Sequence, residues 1–324
     1  MDTTVVNNIA SMRDLVVAVT GASGFVGHHL VSALLERGMR VKVLTRTELP
    51  GRLVGTEIYR GDLFDESSLL TFLAGTELLI NLAQPAGTMT DQRFALGMSN
   101  LARAAGRAGV RRLLHVSTAM VVGVPLGDHV DEASPCRPAT TYERQKLLAE
   151  SIFLSDLTQG VDVGILRPTA VFGVGGKNLL KLLGTVVESQ PIRRLLLRFI
   201  HGHRHMHLVS VNDVVAALLH LAFHSRALAK NVFLISVDDD ADNQYQAVDA
   251  ILGQVLGRPL PLLSASLPTG VLRVLLRLAG RSQANPRLRF DAGKLEDWGY
   301  RRGTDLKSEL KQFALAMQAG RVSS

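Results

Sequence analysis

Short, nearly continuous apolar runs recur along the first half of the chain: LVVAVT (15–20), VKVLT (41–45), ELLINLA (77–83), RLLHVST (112–118) and VDVGILR (161–167). Runs of this length, rich in Val, Leu and Ile, predict strands covered on both faces. Between them the period changes. GHHLVSALLERG repeats apolar residues at intervals of three and four and stops at Gly38, while TDQRFALGMSNLARAAGRAG opens on Thr90 as a cap and ends at Gly109, both of which read as helices. Strands alternating with helices predict βαβ units, and hence an α/β fold with a doubly wound parallel sheet. After about residue 170 the rhythm loosens into three helical patterns, NLLKLLGTVVES, VNDVVAALLHLAFH and PTGVLRVLLRLAGR, and a basic stretch, PIRRLLLRFIHGHRHMH. With no linker rich in Pro, Gly or Ser, the expected organisation is a first domain over 12–170, a segment at about 205–235 returning to it, and a smaller C-terminal domain formed mainly by 171–324.

Composition narrows the class. At 324 residues and 47% hydrophobic, the chain can bury a sizeable core. Lys and Arg number 36 against 29 Asp and Glu, a net charge of +7. That balance suits a phosphorylated ligand, a nucleic acid or a lipid headgroup, and equally an ordinary basic surface. A single cysteine, Cys136, excludes an intramolecular disulfide framework and a cysteine-held zinc. The opening MDTTVVNNIASM has no basic stretch followed by an apolar core, so it reads as a polar extension, with Met12 an alternative start. No apolar run approaches the roughly 18 residues of a spanning helix, so the expected setting is the cytoplasm, without a membrane span.

Three constellations carry chemistry. Gly21, Gly24 and Gly27 form G-x-x-G-x-x-G where the first strand turns into a helix. A turn this tight needs residues without Cβ, and the N–H groups of the helix's first turn, aided by its dipole, offer a site for a pyrophosphate. In that context the pattern predicts dinucleotide binding. The second strand ends at Thr45 and Arg46 rather than at an acid that would accept from a ribose 2′-hydroxyl. An arginine there suits a 2′-phosphate, so NADP is preferred to NAD. Asp62, in RGDLFD, is placed either to meet an adenine amino group or to cap a helix. Tyr142 and Lys146 lie four apart in TTYERQKLLAE, on one face of a predicted helix. A phenol ionises near pH 10 in water; a lysine one turn away favours the phenolate and brings it toward working range. Ser117 and Thr118 end a strand with hydroxyls able to hold a carbonyl or alkoxide oxygen.

Taken together, TGASGFVG, INLAQ, HVSTAMVVG, YERQK, LRPTAVFG and HLVSVNDVV resemble the motifs of the extended short-chain dehydrogenase/reductases, the NAD-dependent epimerase/dehydratases, over most of the chain. The resemblance implies a Rossmann domain with a substrate-binding C-terminal domain, and a nucleoside-diphosphate sugar as substrate. It gives Thr118 the catalytic hydroxyl, Tyr142 the general acid/base role, and Lys146 the task of orienting the nicotinamide ribose. Cofactor contacts would come from Gly21, Ser23, Gly24, Phe25, Val26, Gly27, Thr45, Arg46, Asp62, Leu63, Leu82, Ala83, Gln84, Ser117, Tyr142, Lys146, Pro168 and Val171. The family uses no catalytic metal, and a homodimer through helices near 91–108 and 141–158 is implied, with no nucleic-acid partner.

Departures from the family pattern narrow the activity. Its sugar dehydratases carry an Asp and a Glu after the catalytic Thr, where this chain has Ala119 and Met120, neither capable of acid/base work. Many epimerases carry an Asn where Ala170 stands, and an acid where Thr45 stands. The likeness is better to reductases of a 4-keto nucleotide sugar. Epimerisation with bound NAD, a non-catalytic NADP-sensing protein and a reductase of a small lipid-like or aromatic carbonyl are the alternatives.

On the substrate side, Arg204, Arg287 and Arg289 lie near positions where the family often places arginine for a diphosphate. His201, His203, His205 and His207 alternate, and on an extended strand would share a face; spacing of two does not supply metal geometry, so they read as solvated or phosphate-facing. IRRLLLRFI reads as a helix over the substrate pocket or as a basic amphipathic helix on a membrane surface.

Overall fold

In the computed structural model, which describes residues 15–46, 54–84, 89–125, 127–263, 265–278 and 285–322, the apolar runs become the strands of one seven-stranded parallel sheet. Its members are β1 (Val16–Thr20), β2 (Arg40–Thr45), β3 (Glu57–Arg60), β4 (Leu78–Asn81), β5 (Arg112–Val116), β6 (Asp162–Pro168) and β7 (Asn231–Ile235). The spatial order is β7-β6-β5-β4-β1-β2-β3. Chain direction across the sheet therefore reverses between β1 and β4, which is where doubly wound folds hold their ligands. The opening stretch with Met12 lies outside the described residues.

Every residue of β1 and β4 is buried, as their unbroken apolar runs require. Helices α1 (Phe25–Glu36), α2 (Glu66–Leu73), α3 (Asp91–Arg107) and α4 (Thr141–Phe153) follow in chain order. Thr90 caps α3 by accepting from the Arg93 N–H, and Gly38 and Gly109, both at positive φ, end α1 and α3. Phe72, Phe94, Met98, Leu101 and Phe153 fill one core with the sheet residues Leu79, Leu113 and Ile165.

Two units make up the described chain. Unit 1 draws on Met1–Thr118, Thr140–Arg167 and Val215–Phe233, and unit 2 on Ala119–Ala139, Pro168–Val214 and Leu234–Ser324. Unit 2 holds α5 (Leu180–Glu188), α6 (Pro191–His201), α8 (Tyr245–Val255), α9 (Thr269–Leu278), α10 (Gly293–Asp297) and α11 (Leu306–Val322), while α7 (Val211–Ala222) runs from it into unit 1. Two small parallel pairs complete unit 2, His129–Val130 with Arg289–Phe290 and Ala170–Phe172 with Leu208–Ser210. The alternating histidines do not form a strand: His201 closes α6, Gly202 turns the chain at φ +39°, and the strand begins only at Leu208. A helix C-cap has overridden the extended reading.

Candidate active site

Because the strands run parallel, Gly21, Thr45, Asp62, Leu82 and Ser117 all lie at or just beyond the C-terminal ends of their strands and share one edge of the sheet. At Gly21, φ is +72° and an added Cβ would stand 2.7 Å from the Leu82 carbonyl carbon. At Gly27 an added Cβ would stand 2.8 Å from the Ala22 Cα. The first glycine lets the turn pass against β4, and the last lets α1 close on the turn. Gly24 is the N-cap of α1 and supplies no side-chain hydrogen bond. The amides of Phe25, Val26 and Gly27 belong to a first turn that has no partner within the helix, in the manner of an anion cradle. A dinucleotide pyrophosphate fits this bare, glycine-lined turn.

Behind the loop, Asn81 ties three strands together. Its side-chain oxygen accepts from Thr20 Oγ1 at 2.5 Å and from the Ala83 N–H at 3.1 Å, and its amide nitrogen donates to His115 Nδ1 at 2.9 Å. His115 is fully buried, and loss of hydration, joined by the Lys146 charge, holds its pKa well below the ordinary value. It is therefore neutral, with its proton on Nε2. Gln84, next along, donates to Gln145 Oε1 of α4 at 3.3 Å.

Helix α4 carries the pair. It starts in a capping box, in which Thr140 Oγ1 accepts from the Glu143 N–H at 3.2 Å and Glu143 accepts from the Thr140 N–H at 3.1 Å. That start sets Tyr142, Lys146 and Glu150 at intervals of four on one face. Thr118, buried just beyond the end of β5, is the hydroxyl that acts on the Tyr142 phenol. Lys146 is buried, donates to the Val116 carbonyl at 2.9 Å and lies 6.0 Å from the Tyr142 ring centroid. Burial lowers its pKa to about 8, against the pull of Glu150.

The Tyr142 phenol departs from expectation. Lost hydration pushes its pKa above the ordinary value, the Thr118 hydrogen bond works against that rise, and the Glu143 charge adds to it. The expected lowering by Lys146 is absent because the ammonium is turned to the Val116 carbonyl, and desolvation dominates at the phenol.

Sequence reasoning missed the support beneath this pair. Ser117 Oγ donates to Glu150, and Arg167 grips the same carboxylate with Nε at 2.9 Å and Nη2 at 2.6 Å. Both charged side chains are almost wholly buried, and the bidentate geometry offsets part of their desolvation. Backbone pairing fixes the register, since the Ser117 N–H donates to the Leu166 carbonyl. The signal was present: Glu150 continues the interval of four from Tyr142.

Other predicted residues are placed less tellingly. Arg46 is exposed at the end of β2, and Leu63 is buried with its carbonyl accepting from Asn100 Nδ2 at 3.0 Å. Asp62 accepts from the Phe64 N–H, while Asp65 is the residue that caps α2. Pro168 and Val171 belong to unit 2. Within unit 2, a pocket of about 420 Å³ is lined by His201, His203, Arg204, His205, Arg287 and Arg289, so the three arginines that the sequence scattered share one cavity. Burial lowers the His205 pKa, Asp238 opposes that shift, and Arg289 and His207 reinforce it. His207 instead bonds Asp238 through Nδ1 at 2.6 Å.

The sequence model of the NAD dependent epimerase/dehydratase family matches residues 17–236. The chain belongs to that family. Its fold is accordingly of the extended short-chain dehydrogenase/reductase type. Among curated relatives, sterol demethylase protein B of Methylococcus capsulatus is 33% identical over 219 residues, covering 62% of this chain and 64% of that protein. A ketoreductase of Stigmatella aurantiaca, acting on 4-hydroxy-2-methyl-3-oxo-4-farnesyl-3,4-dihydroquinoline-1-oxide, is 32% identical over 187 residues, covering 54% of this chain and 56% of that one. The chain thus spans little more than half the length of these relatives. The fold is also that of the Streptomyces venezuelae dTDP-glucose 4,6-dehydratase DesIV, solved with NAD and TYD bound, at a TM-score of 0.69 and 21% identity, covering 95% of this chain and 98% of that one.

Proposed function

We propose that the protein is an NADP-dependent reductase of a ketone, with Tyr142 as general acid, and that its substrate is a nucleoside-diphosphate sugar carrying a 4-keto group. The observation that carries the reaction is the buried Lys146 one turn along α4 from Tyr142, its ammonium 6.0 Å from the Tyr142 ring centroid, with the buried Thr118 just beyond the end of β5. Gly21, Ser23, Gly24, Phe25, Val26 and Gly27 would hold the pyrophosphate, Arg46 the 2′-phosphate, and Ser117 and Lys146 the nicotinamide end. When bound there, the cofactor would supply a hydride to the carbonyl carbon. Tyr142 gives its phenolic proton to the carbonyl oxygen as charge develops there, and Thr118 steadies that oxygen by its hydroxyl. Lys146, one turn along α4 and held by the Val116 carbonyl, would orient the nicotinamide ribose. Ala119 and Met120 offer no acid or base for water loss, which disfavours dehydration.

The substrate assignment rests on the cations of the unit 2 pocket, which suit a diphosphate. A second reading, reduction of a lipid-like carbonyl, is favoured by the sterol and farnesyl-quinoline names of the sequence relatives. Pairing with a second copy through α3 and α4 belongs to the same proposal.

One assay separates these readings. NADPH oxidation is followed with a 4-keto nucleotide sugar and with a lipophilic ketone, for the native enzyme, Tyr142→Phe and Arg289→Glu. The proposal expects turnover of the sugar to fall about 10²- to 10⁴-fold in Tyr142→Phe with NADPH affinity kept, and KM for the sugar to rise in Arg289→Glu. Full turnover by Tyr142→Phe would sink the acid. Turnover of the lipophilic ketone alone, indifferent to Arg289→Glu, would transfer the assignment to the second reading.

A further inference from the structure

Helix α6 is inside out. In a surface helix the apolar stripe faces the core and the charges face water, yet in PIRRLLLRFIH the buried residues are Arg194 and Arg198, while Ile192 is 74% exposed, Leu196 56% and Phe199 38%. The arginines turn inward because α8 presents Asp249, itself buried. Arg194 Nη2 reaches its Oδ2 at 3.0 Å and Arg198 Nε the same oxygen at 2.6 Å. Further guanidinium hydrogens go to carbonyls, from Arg194 to Arg258 at 2.7 Å, and from Arg198 to Leu260 at 3.0 Å and Pro261 at 2.6 Å. An arginine anchor at positions four apart turns Ile192, Leu196 and Phe199 outward.

A second helix of unit 2 is joined to α6 and also exposes apolar side chains. Leu272 and Leu276 of α9 pack with Ile200 of α6 and with Leu267, and the Leu267 N–H donates to the Phe199 carbonyl at 2.7 Å. On its other face α9 exposes Val271, Val274, Leu275 and Leu278, the last to 81%. Seven large apolar side chains exposed on two helices that meet through Ile200 and Leu267 exceed the scattered apolar exposure of ordinary surfaces.

Charge identifies what covers this face. From residue 250 to 290 the sequence has six arginines, at 258, 273, 277, 281, 287 and 289, and neither an Asp nor a Glu. From 189 to 212 there are four arginines and four histidines, again without an acid, though Arg194 and Arg198 are turned inward onto Asp249 and leave the outward charge to the others. Arg193 stands exposed on α6 beside Ile192. A second copy meeting this face about a twofold axis would set arginine against arginine. A bilayer with anionic headgroups offers an apolar layer and the opposite charge together. The two helices, 11 and 10 residues long, are too short to span a bilayer and of a length to lie within its interface.

We propose that α6 and α9 of unit 2 form a docking face for the surface of an anionic phospholipid bilayer, with Ile192, Leu196, Phe199, Val274, Leu275 and Leu278 entering the interface and the surrounding arginines meeting the headgroups. His201 at the end of α6 and Thr269 and Leu272 of α9 also line the unit 2 pocket, so docking brings that pocket to the membrane. The inference stands whichever substrate the enzyme reduces.

The test is flotation of the full chain with vesicles of phosphatidylcholine alone and of phosphatidylcholine with about one third phosphatidylglycerol. The expected result is recovery with the anionic vesicles at least about tenfold above the neutral ones, reduced severalfold in about 0.5 M salt. Leu196→Asp with Leu275→Asp should abolish that recovery, and the milder Leu196→Ser with Leu275→Ser should weaken it, with NADPH binding and thermal unfolding unchanged in the serine variant. Absence of flotation with anionic vesicles overturns the proposal. So does flotation indifferent to both variants, or a sedimenting dimer that the serine variant splits, which would give the face to a second copy.

Discussion

Lys146 shows what the site costs. Its charge is almost wholly removed from water, and at neutral pH holding it protonated costs about 3 kcal/mol relative to the unfolded chain, given a pKa near 8 in place of the ordinary 10.5. The folded value is the lower one, so the unfolded chain binds the proton more tightly. The penalty is complete below pH 8 and is relieved as the pH rises to 10.5. Lys146→Met forfeits the hydrogen bond to Val116, worth about 1 kcal/mol, yet is relieved of the greater cost of burying the ammonium. The variant should unfold at a higher temperature than the native chain at pH 7, with the gap narrowing between pH 8 and 10.5 while turnover is lost. A lower unfolding temperature at pH 7 would mean that Lys146 is held by more than the Val116 carbonyl. The pair itself was legible because an interval of four is a property of the sequence. The direction of the tyrosine shift was not, because desolvation depends on what surrounds the phenol, and Glu150 and Arg167 meet only after β6 is laid beside β5.

At the scale of elements, the strand–turn–helix of the glycine loop divides its demands unequally. Gly27 is needed for packing, since its Cβ would press into the Ala22 backbone, whereas a Cβ at Gly24 would stand 3.2 Å from the Gly21 carbonyl oxygen and meet nothing closer. Gly24→Ala should therefore cost less than about 1 kcal/mol of stability but lower NADPH affinity at least about tenfold, because the methyl would occupy the mouth of the cradle. Gly27→Ala should lose both. Calorimetry of the two variants with and without NADPH makes the comparison; equal affinity in Gly24→Ala would remove the pyrophosphate from the loop. Continuous apolar runs marked the inner strands β1, β2, β4, β5 and β6; of the outer two, β7 carries such a run in VFLI and went unread, whereas β3 was missed for a physical reason. β3 and β7 are the edges of the sheet. EIYR alternates half-buried and exposed positions, so it has no continuous apolar run to find. The shared face that the alternating histidines would have had on an extended strand does not form, because a helix end and a glycine at positive φ interrupt the run.

The whole chain poses the question of what it carries into the reaction. Unit 1 assembles the loop, the Ser/Thr strand end and α4 from segments as far apart as Thr20 and Arg167, so cofactor binding should stabilise it as one body, by about 2.7 kcal/mol at a hundredfold excess over Kd. A reductase that takes hydride from a diffusible donor must release its spent cofactor each cycle, whereas an epimerase returns the hydride to the same substrate and profits from retention. Freshly purified protein, denatured and analysed by mass and absorbance, should therefore release little nucleotide. The emptied protein should gain more thermal stability from NADPH than from NADH. Arg46→Asp should reverse that order, since a carboxylate repels a 2′-phosphate and accepts from a 2′-hydroxyl. Stoichiometric NAD in the native protein, with stabilisation indifferent to Arg46, would make that arginine a solvated surface charge and move the reaction to epimerisation, run by the same Tyr142 in both directions.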